Sequence, residues 1–341
     1  MAVRLQDVAE RAGVSVKTVS NVVNNSVHVA PATRERVQLA IDTLDYRPNL
    51  SARNLRRGRS GLIALALPEL DSPYFAELAH LVVQAAEEFG LTVLVDQTDG
   101  LADRERLVMA GFRNHFIDGL IMSPIGLGSV EIASHDGLIP LVLLGEKVGA
   151  GPADHVAIDN VAAARAATEH LLDLGRRRVA VIGNQPDSPT GSGVARLRRR
   201  GYEQALRAHG VASDPTLIAN VSAFGRQQGA EATAELLDSD ARADALFCFN
   251  DTLALGALRM LACRGVQVPS DVAVIGMDDI EDGRWSTPTL STVAPDKRQI
   301  ARCSVEMLLE RMGRDGEGEA VARDVRAAFV LTARESTLGR R

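Results

Sequence analysis

Little in this 341-residue chain advertises covalent chemistry. Its three cysteines, Cys248, Cys263 and Cys303, are odd in number and form no CxxC pair, so they read as reduced small hydrophobes rather than disulfide partners. No apolar run approaches the roughly 18 residues that a membrane span needs, and the N-terminus lacks a basic segment followed by an apolar one. The compartment expected is therefore the cytoplasm. There is no P-loop, no GxGxxG opening a helix and no GxSxG elbow. The histidines show no HExxH or other close metal-ligand spacing, so neither a metal nor a cofactor is expected. An enzyme on this chain would have to assemble its site from unmarked positions.

What is present describes an ordinary globular protein, 46% hydrophobic and 24% charged, long enough for two or three domains. The net charge of −6 argues, taken whole, against nucleic acid. Its distribution reverses that. Residues 1–60 carry ten Lys/Arg against five Asp/Glu, a net of +5, which leaves −11 for the other 281 residues, twenty-eight bases against thirty-nine acids. A basic module on an acidic body suggests that the module meets a polyanion and the body something else.

Within the module, Leu5 to Asn24 holds two short helical patterns that meet at Gly13. Val8, Ala9 and Ala12 share one face of the first, and Val19, Val22 and Val23 one face of the second. Gly13 tolerates positive φ in the turn between them, and Ser15 is placed to cap the second helix. Such a unit is either a helix-turn-helix whose second helix enters the DNA major groove, or an αα-hairpin that only packs. A third helix over Ala32 to Asp45, led by Pro31, presents Val37, Ala40, Ile41 and Leu44. Pro48 ends that run, and Asn49 can cap a short fourth helix, Leu50 to Arg56.

DVAERAGVSVKTVSNVVN followed by TRERVQLAIDTLDYRPNLSARNLR resembles the headpiece of the LacI/GalR (lactose-repressor/galactose-repressor) family in order and spacing of elements. The pattern departs from the family at two caps, where Arg4 and Ala30 stand for the usual Ser or Thr. The resemblance implies a sequence-specific DNA-binding transcriptional repressor. It puts base reading on Val16, Lys17 and Asn21, and the chemistry agrees: lysine donates to guanine, asparagine pairs with adenine, and valine meets a thymine methyl. Ser15, Thr18 and Ser20 are better placed for phosphates. In the fourth helix the resemblance makes Leu55 a minor-groove wedge, with Ala52 small enough to admit its symmetry mate and Arg53 alongside. The domains expected are 1–48 (helix-turn-helix), 49–61 (hinge helix and basic, glycine-punctuated linker) and 62–341 (effector-binding and dimerisation body).

In the body, uninterrupted apolar runs at 62–67, 91–95, 119–122, 141–144, 179–182, 245–249 and 272–275 alternate with amphipathic helical stretches. That alternation implies parallel sheets covered on both faces, and its length implies two α/β subdomains. The fold class expected is thus an all-α headpiece plus two doubly wound parallel-sheet subdomains, similar to the type I periplasmic-binding-protein architecture. The first would comprise about 62–159 and 292–320, the second about 161–289 and 324–341. Chain crossings are expected near Asp159–Val161, Thr289–Thr292 and Ala320–Asp324.

Ligands of open α/β sheets bind beyond the strand C-termini. That rule and the resemblance together give Tyr74, Phe75, Ser123, Asp159, Arg198, Phe224, Asn250 and Asp278 as the effector site. An arginine, carboxylates and aromatic rings converging in a cleft suit a small polyhydroxylated or heterocyclic ligand. A sugar is the family's commonest effector, and purines are also bound on such bodies. Asp251 reads as a helix cap, Asp279 as a holder of the following loop, and Trp285 as either a pocket wall or a hinge contact. The partners expected are a near-palindromic double-stranded operator, the effector and a second copy in a homodimer, since the C-terminus carries no leucine heptads. A solute-binding protein or a sugar-processing enzyme on the same body are the alternatives; the headpiece opposes both.

Overall fold

The computed structural model describes residues 3–23, 29–46, 60–110, 117–133, 139–145, 153–186, 193–313 and 321–339. The hinge residues Ala52, Arg53 and Leu55 lie outside them. The chain forms two compact units, residues 1–60 and 61–341.

The first unit contains α1 (Leu5–Ala12), α2 (Val16–Val23) and α3 (Pro31–Thr43). Gly13 takes φ +64°, and the following Val14 N–H returns to the Ala9 carbonyl at 3.0 Å, which closes α1 and turns the chain. The Ser15 hydroxyl accepts the Thr18 N–H at 3.1 Å and so caps α2. With Arg4 in place of a hydroxyl residue, α1 is secured from within: the Asp7 carboxylate accepts the Arg4 N–H at 2.7 Å. Val8, Ala9, Ala12, Val19, Val22, Val37 and Ala40 form a single small core. Tyr46, just past α3, joins that core.

The second unit is built on two six-stranded sheets. One contains β1 (Leu62–Leu67), β2 (Thr92–Gln97), β3 (Gly119–Met122), β4 (Leu141–Leu144), β5 (Asp154–Ile158) and β11 (Asp324–Ala327), in the order β11-β5-β4-β3-β1-β2. The other contains β6 (Val179–Asn184), β7 (Ile218–Asn220), β8 (Ala245–Cys248), β9 (Ala273–Met277), β10 (Ser291–Pro295) and β12 (Phe329–Thr332), in the order β12-β10-β9-β8-β6-β7. Every pairing is parallel except β10 with β12. The first sheet is flanked by α4 (Pro73–Glu88), α5 (Ala102–Met109), α6 (Ser129–Ala133) and α12 (Lys297–Met312). With the second go α7 (Asn160–Asp173), α8 (Gly193–Ala208), α9 (Arg226–Asp238), α10 (Asp251–Cys263), α11 (Glu281–Trp285) and α13 (Glu335–Leu338).

Two expected crossings are corrected. β10 belongs to the second sheet, so the chain returns to the first at Asp296, not at 289–292. β11 lies on the first sheet beside β5, so the last crossing is at Ala328 rather than 320–324, and the 324–341 segment is divided between the halves. The reason is polar sequence in strands, β11 lying largely exposed at the edge of its sheet. In β5, Asp154 is buried but takes charged hydrogen bonds from Arg311 and Arg323 at 2.9 and 2.8 Å. In β10, buried Ser291 and Thr292 bond Thr337 and Asp251, both at 2.8 Å. Satisfied in this way, these side chains tolerate burial that their polarity alone would oppose.

Helices α9 and α10 pack so closely that glycine is required between them. A Cβ on Gly256 would stand 1.9 Å from the Arg226 carbonyl oxygen, and one on Gly229 2.1 Å from that of Leu253. Gly256→Ala is expected to push the helices apart and to cost about 3 kcal/mol, checked by chemical denaturation. A change below about 0.5 kcal/mol would mean that the pair is not held at backbone contact.

Candidate functional site

On the first unit, burying Val19 and Val22 turns the opposite side of α2 outward. Val16 is 43% exposed, Lys17 is exposed, and Asn21 and Ser20 are half-buried on the same side. Ser15 and Thr18 join hydroxyls at 2.9 Å at the N-terminal end of the helix. The three residues expected to read bases therefore share an outward face, with hydroxyls beside them. The helix N-terminus adds positive dipole to that end, which suits phosphate.

In the second unit a cavity of about 500 Å³ opens where the strand C-termini of both sheets meet. Many of the wall residues arrive there because a strand has just ended. Ser123 follows β3, Asn160 follows β5, Gln185 follows β6, Asn250 follows β8, Asp278 follows β9, and Pro295 closes β10. The first turn of α4 contributes Tyr74 and Phe75, whose rings meet edge to face at 5.2 Å. Arg198 enters from α8 and Phe224 from the loop after β7.

Arg198 is 7% exposed and makes the central contacts. Its Nε donates to Asn160 Oδ1 at 2.7 Å and its Nη1 to the Phe249 carbonyl, while Nη2 stands 3.9 Å from Asp278 Oδ1. Asp278, 8% exposed, is pushed up to about 6 by burial, with Arg198 and Lys297 pulling the other way. Behind it Asp251 is fully buried and pushed up to about 7, by burial first and by the Asp278 carboxylate second. Asn250 lines the cavity while both ends of its amide serve the frame. Its Oδ1 accepts the Leu253 N–H at 2.9 Å and its Nδ2 donates to the Phe224 carbonyl at 3.1 Å, fixing that aromatic loop.

Of the expected residues, Tyr74, Phe75, Ser123, Arg198, Phe224, Asn250 and Asp278 stand on this wall. Asp159 does not. It is exposed and caps α7, accepting the Ala162 N–H at 2.9 Å, and its neighbour Asn160 takes the inward place. Asn250, not Asp251, caps α10; Asp251 instead accepts the Thr292 hydroxyl at 2.8 Å and the Ile280 N–H at 3.0 Å. Trp285 is 81% exposed and outside the cavity wall. Asp279 holds its loop through Arg284 and Arg334, at 2.6 and 2.5 Å. Sequence reading also missed Glu69 and Asp99, two carboxylates on the wall of the first half. Their position after β1 and β2 was the available signal.

Residues 4–49 match the bacterial regulatory proteins of the lacI family, and residues 168–337 match a periplasmic binding protein-like domain. The HTH-type transcriptional regulator DegA of Bacillus subtilis (strain 168) is 33% identical over 311 residues, 88% of each chain. The chain belongs to the LacI family. Two solved structures match nearly all of it. The lac repressor dimer bound to operator and the anti-inducer ONPF superimposes with TM-score 0.85, at 28% identity over 99% of this chain and 100% of that one. The transcriptional regulator CelR in complex with cellobiose gives TM-score 0.71, at 30% identity over 98% and 99%. As a LacI-family regulator, the protein is a DNA-binding transcription factor. Among the described residues no cluster of His, Cys, Asp and Glu is arranged for a metal ion, and no helix is long and apolar enough to cross a membrane.

The buried carboxylates have a thermodynamic signature. With their pKa values raised, Asp251 and Asp278 hold protons in the folded protein that the unfolded chain releases above about pH 4. Folding thus takes up protons, and their contribution to stability falls as pH rises from about 4 to about 7. Asp251→Asn carries no titrating group there. The unfolding free energy of the wild type minus that of Asp251→Asn is therefore expected to decline across this window and level off above it, measured by urea denaturation at stepped pH. A flat difference would mean that Asp251 is ionised throughout.

Proposed function

We propose that this LacI-family regulator is a repressor that binds a near-palindromic operator as a homodimer and responds to a sugar held in the cavity of its second unit. The observation that carries this reading is one chain that joins an outward-facing Val16–Lys17–Asn21 helix on a basic unit to a cleft floored by Arg198 and Asp278. Two-fold symmetry pairs two such helices on successive half-sites. Lys17 and Asn21 select bases through donor and acceptor edges, Val16 through a methyl contact, and Ser15, Thr18 and Ser20 fix the register on phosphates. Leu55, with Ala52 and Arg53, enters the minor groove between the half-sites.

For the effector, relatives with this body include one solved with cellobiose and one with the anti-inducer ONPF. Tyr74, Phe75 and Phe224 give apolar faces for a ring, while Ser123, Arg198 and Asp278 give directional partners for hydroxyls. Charge favours a neutral ligand over an anionic one. Glu69, Asp71 and Asp99 lie on the wall, and of the two arginines among the described wall residues, Arg198 is engaged as described and Arg226 is paired with Asp282 at 3.2 Å. Ligand binding between the halves changes their relative orientation and with it operator affinity, a coupling free energy between two sites.

Operators selected from random duplex DNA and titrated by fluorescence anisotropy test the first half of this reading. Asn21→Ala is expected to weaken binding by about 1–3 kcal/mol and to relax one base position per half-site. A uniform loss over all base variants would remove Asn21 from base reading. Removing residues 1–60 should abolish operator binding and leave sugar affinity nearly intact. For the cavity, a thermal-shift screen of neutral mono- and disaccharides is expected to yield a stabilising ligand, worth about 2.7 kcal/mol at a hundredfold excess over Kd. Stabilisation only by nucleobases, or by nothing in the screen, would sink the sugar assignment.

A further inference from the structure

Lys297, the first residue of α12, is only 7% exposed. Its ammonium has three protons to place. It donates to the carbonyl of Asp278 at 2.9 Å and to that of Asp279 at 3.1 Å, both in the half built on the second sheet. It also donates to the carboxylate of Glu77 on α4, in the half built on the first sheet. One nitrogen thus touches both halves at once.

The turn it grips is unusual. Asp278 and Asp279 are consecutive residues with φ of +117° and +48°, a backbone form that side-chain-bearing residues seldom adopt. Such a form persists only where the surroundings over-determine it. The N–H of Ile280 is held by Asp251 and the side chain of Asp279 by Arg284 and Arg334, all from the second half. The two carbonyls are held by Lys297. On the other side, Glu77 lies one helical turn from Tyr74, which with Phe75 supplies the aromatic part of the cavity wall.

We propose that Lys297 is a positioning residue for the cleft: it fixes the turn that aims Asp278 into the cavity and, through Glu77, ties that turn to α4 of the opposite half. The regulatory part of this inference rests on the cavity being the effector site. A ligand that engages Asp278 and the Tyr74–Phe75 edge then meets two surfaces already coupled by a buried ammonium. The tie is specific to lysine, because a methionine fills the same space without a proton to donate.

Hydrogen–deuterium exchange on the ligand-free, full-length protein tests the tie. In Lys297→Met, amide exchange at residues 278–280 and in α4 is expected to rise by about tenfold, the scale of one lost charge-assisted hydrogen bond. Glu77→Gln changes only the first half, yet it is expected to speed exchange at 278–280 about threefold, a ratio on the order of half that lost bond. In the double variant, exchange should match Lys297→Met alone, since both changes cut one connection. Wild-type exchange at 278–280 in Glu77→Gln, or effects that simply add in the double variant, would overturn the proposal. Should Lys297→Met fail to fold, Glu77→Gln, with its carboxylate at a half-exposed site, still decides it. A failed sugar screen would overturn the effector reading and leave this exchange result standing, so the two fail separately.

Discussion

One fully buried carboxylate organises the cleft side of the second unit. Asp251 begins α10 directly after β8, accepts the N–H of Ile280 beyond β9, and accepts the hydroxyl of Thr292 on β10. Three neighbouring strand ends are thereby pinned to one side chain. The chain makes room for it at Gly276, where a Cβ would stand 2.1 Å from Asp251 Oδ1. With that support below, the Asp278–Asp279 turn can hold its unusual backbone and present a second carboxylate to the cavity, where Arg198 meets it. The chemistry that faces the cavity therefore depends on a group that is not itself part of the cavity wall.

The two units show two ways to make a surface from very little. In the first, three helices bury a core of mostly small residues, which leaves one side of α2 facing out. There the sequence was nearly sufficient, because helical spacing alone separates Val19 and Val22 from Lys17 and Asn21. In the second, much of the wall comes from segments that follow strands, and no local pattern says which residue of such a segment turns inward. Asp159 and Asn160 illustrate the limit. Both are polar, they are adjacent, and each suits either a helix cap or a cavity wall; only the path of the crossing strand sends Asn160 in and Asp159 out.

The fold was legible where strands are apolar and illegible where they are polar. Leu62–Leu67 and Ala245–Cys248 declare themselves by hydrophobic runs. Asp154–Ile158, Ser291–Pro295 and Asp324–Ala327 do not, since the partners that make their polar groups acceptable lie far along the chain: Arg311 and Arg323 for Asp154, Thr337 for Ser291. Misplacing β10 and β11 misplaced two crossings. Lys297 was invisible for the same reason, since its partners are two carbonyls and a glutamate 220 positions away.

Those crossings also set the mechanics of the body. The chain passes between halves at Asp159, Asp296 and Ala328, and the last two are clamped together, with the Asp296 N–H on the Ala328 carbonyl at 2.8 Å and the Ala328 N–H on Gln299 at 2.8 Å. Three connections of which two move as one amount to a door on two hinges. Sliding the halves past each other would stretch the clamped pair, and separating them would pull on all three. Rotation about the line through the hinges needs only small changes in a few backbone torsions. The covalent path alone thus leaves one soft degree of freedom, and a cavity placed between the halves lies where that rotation changes its width.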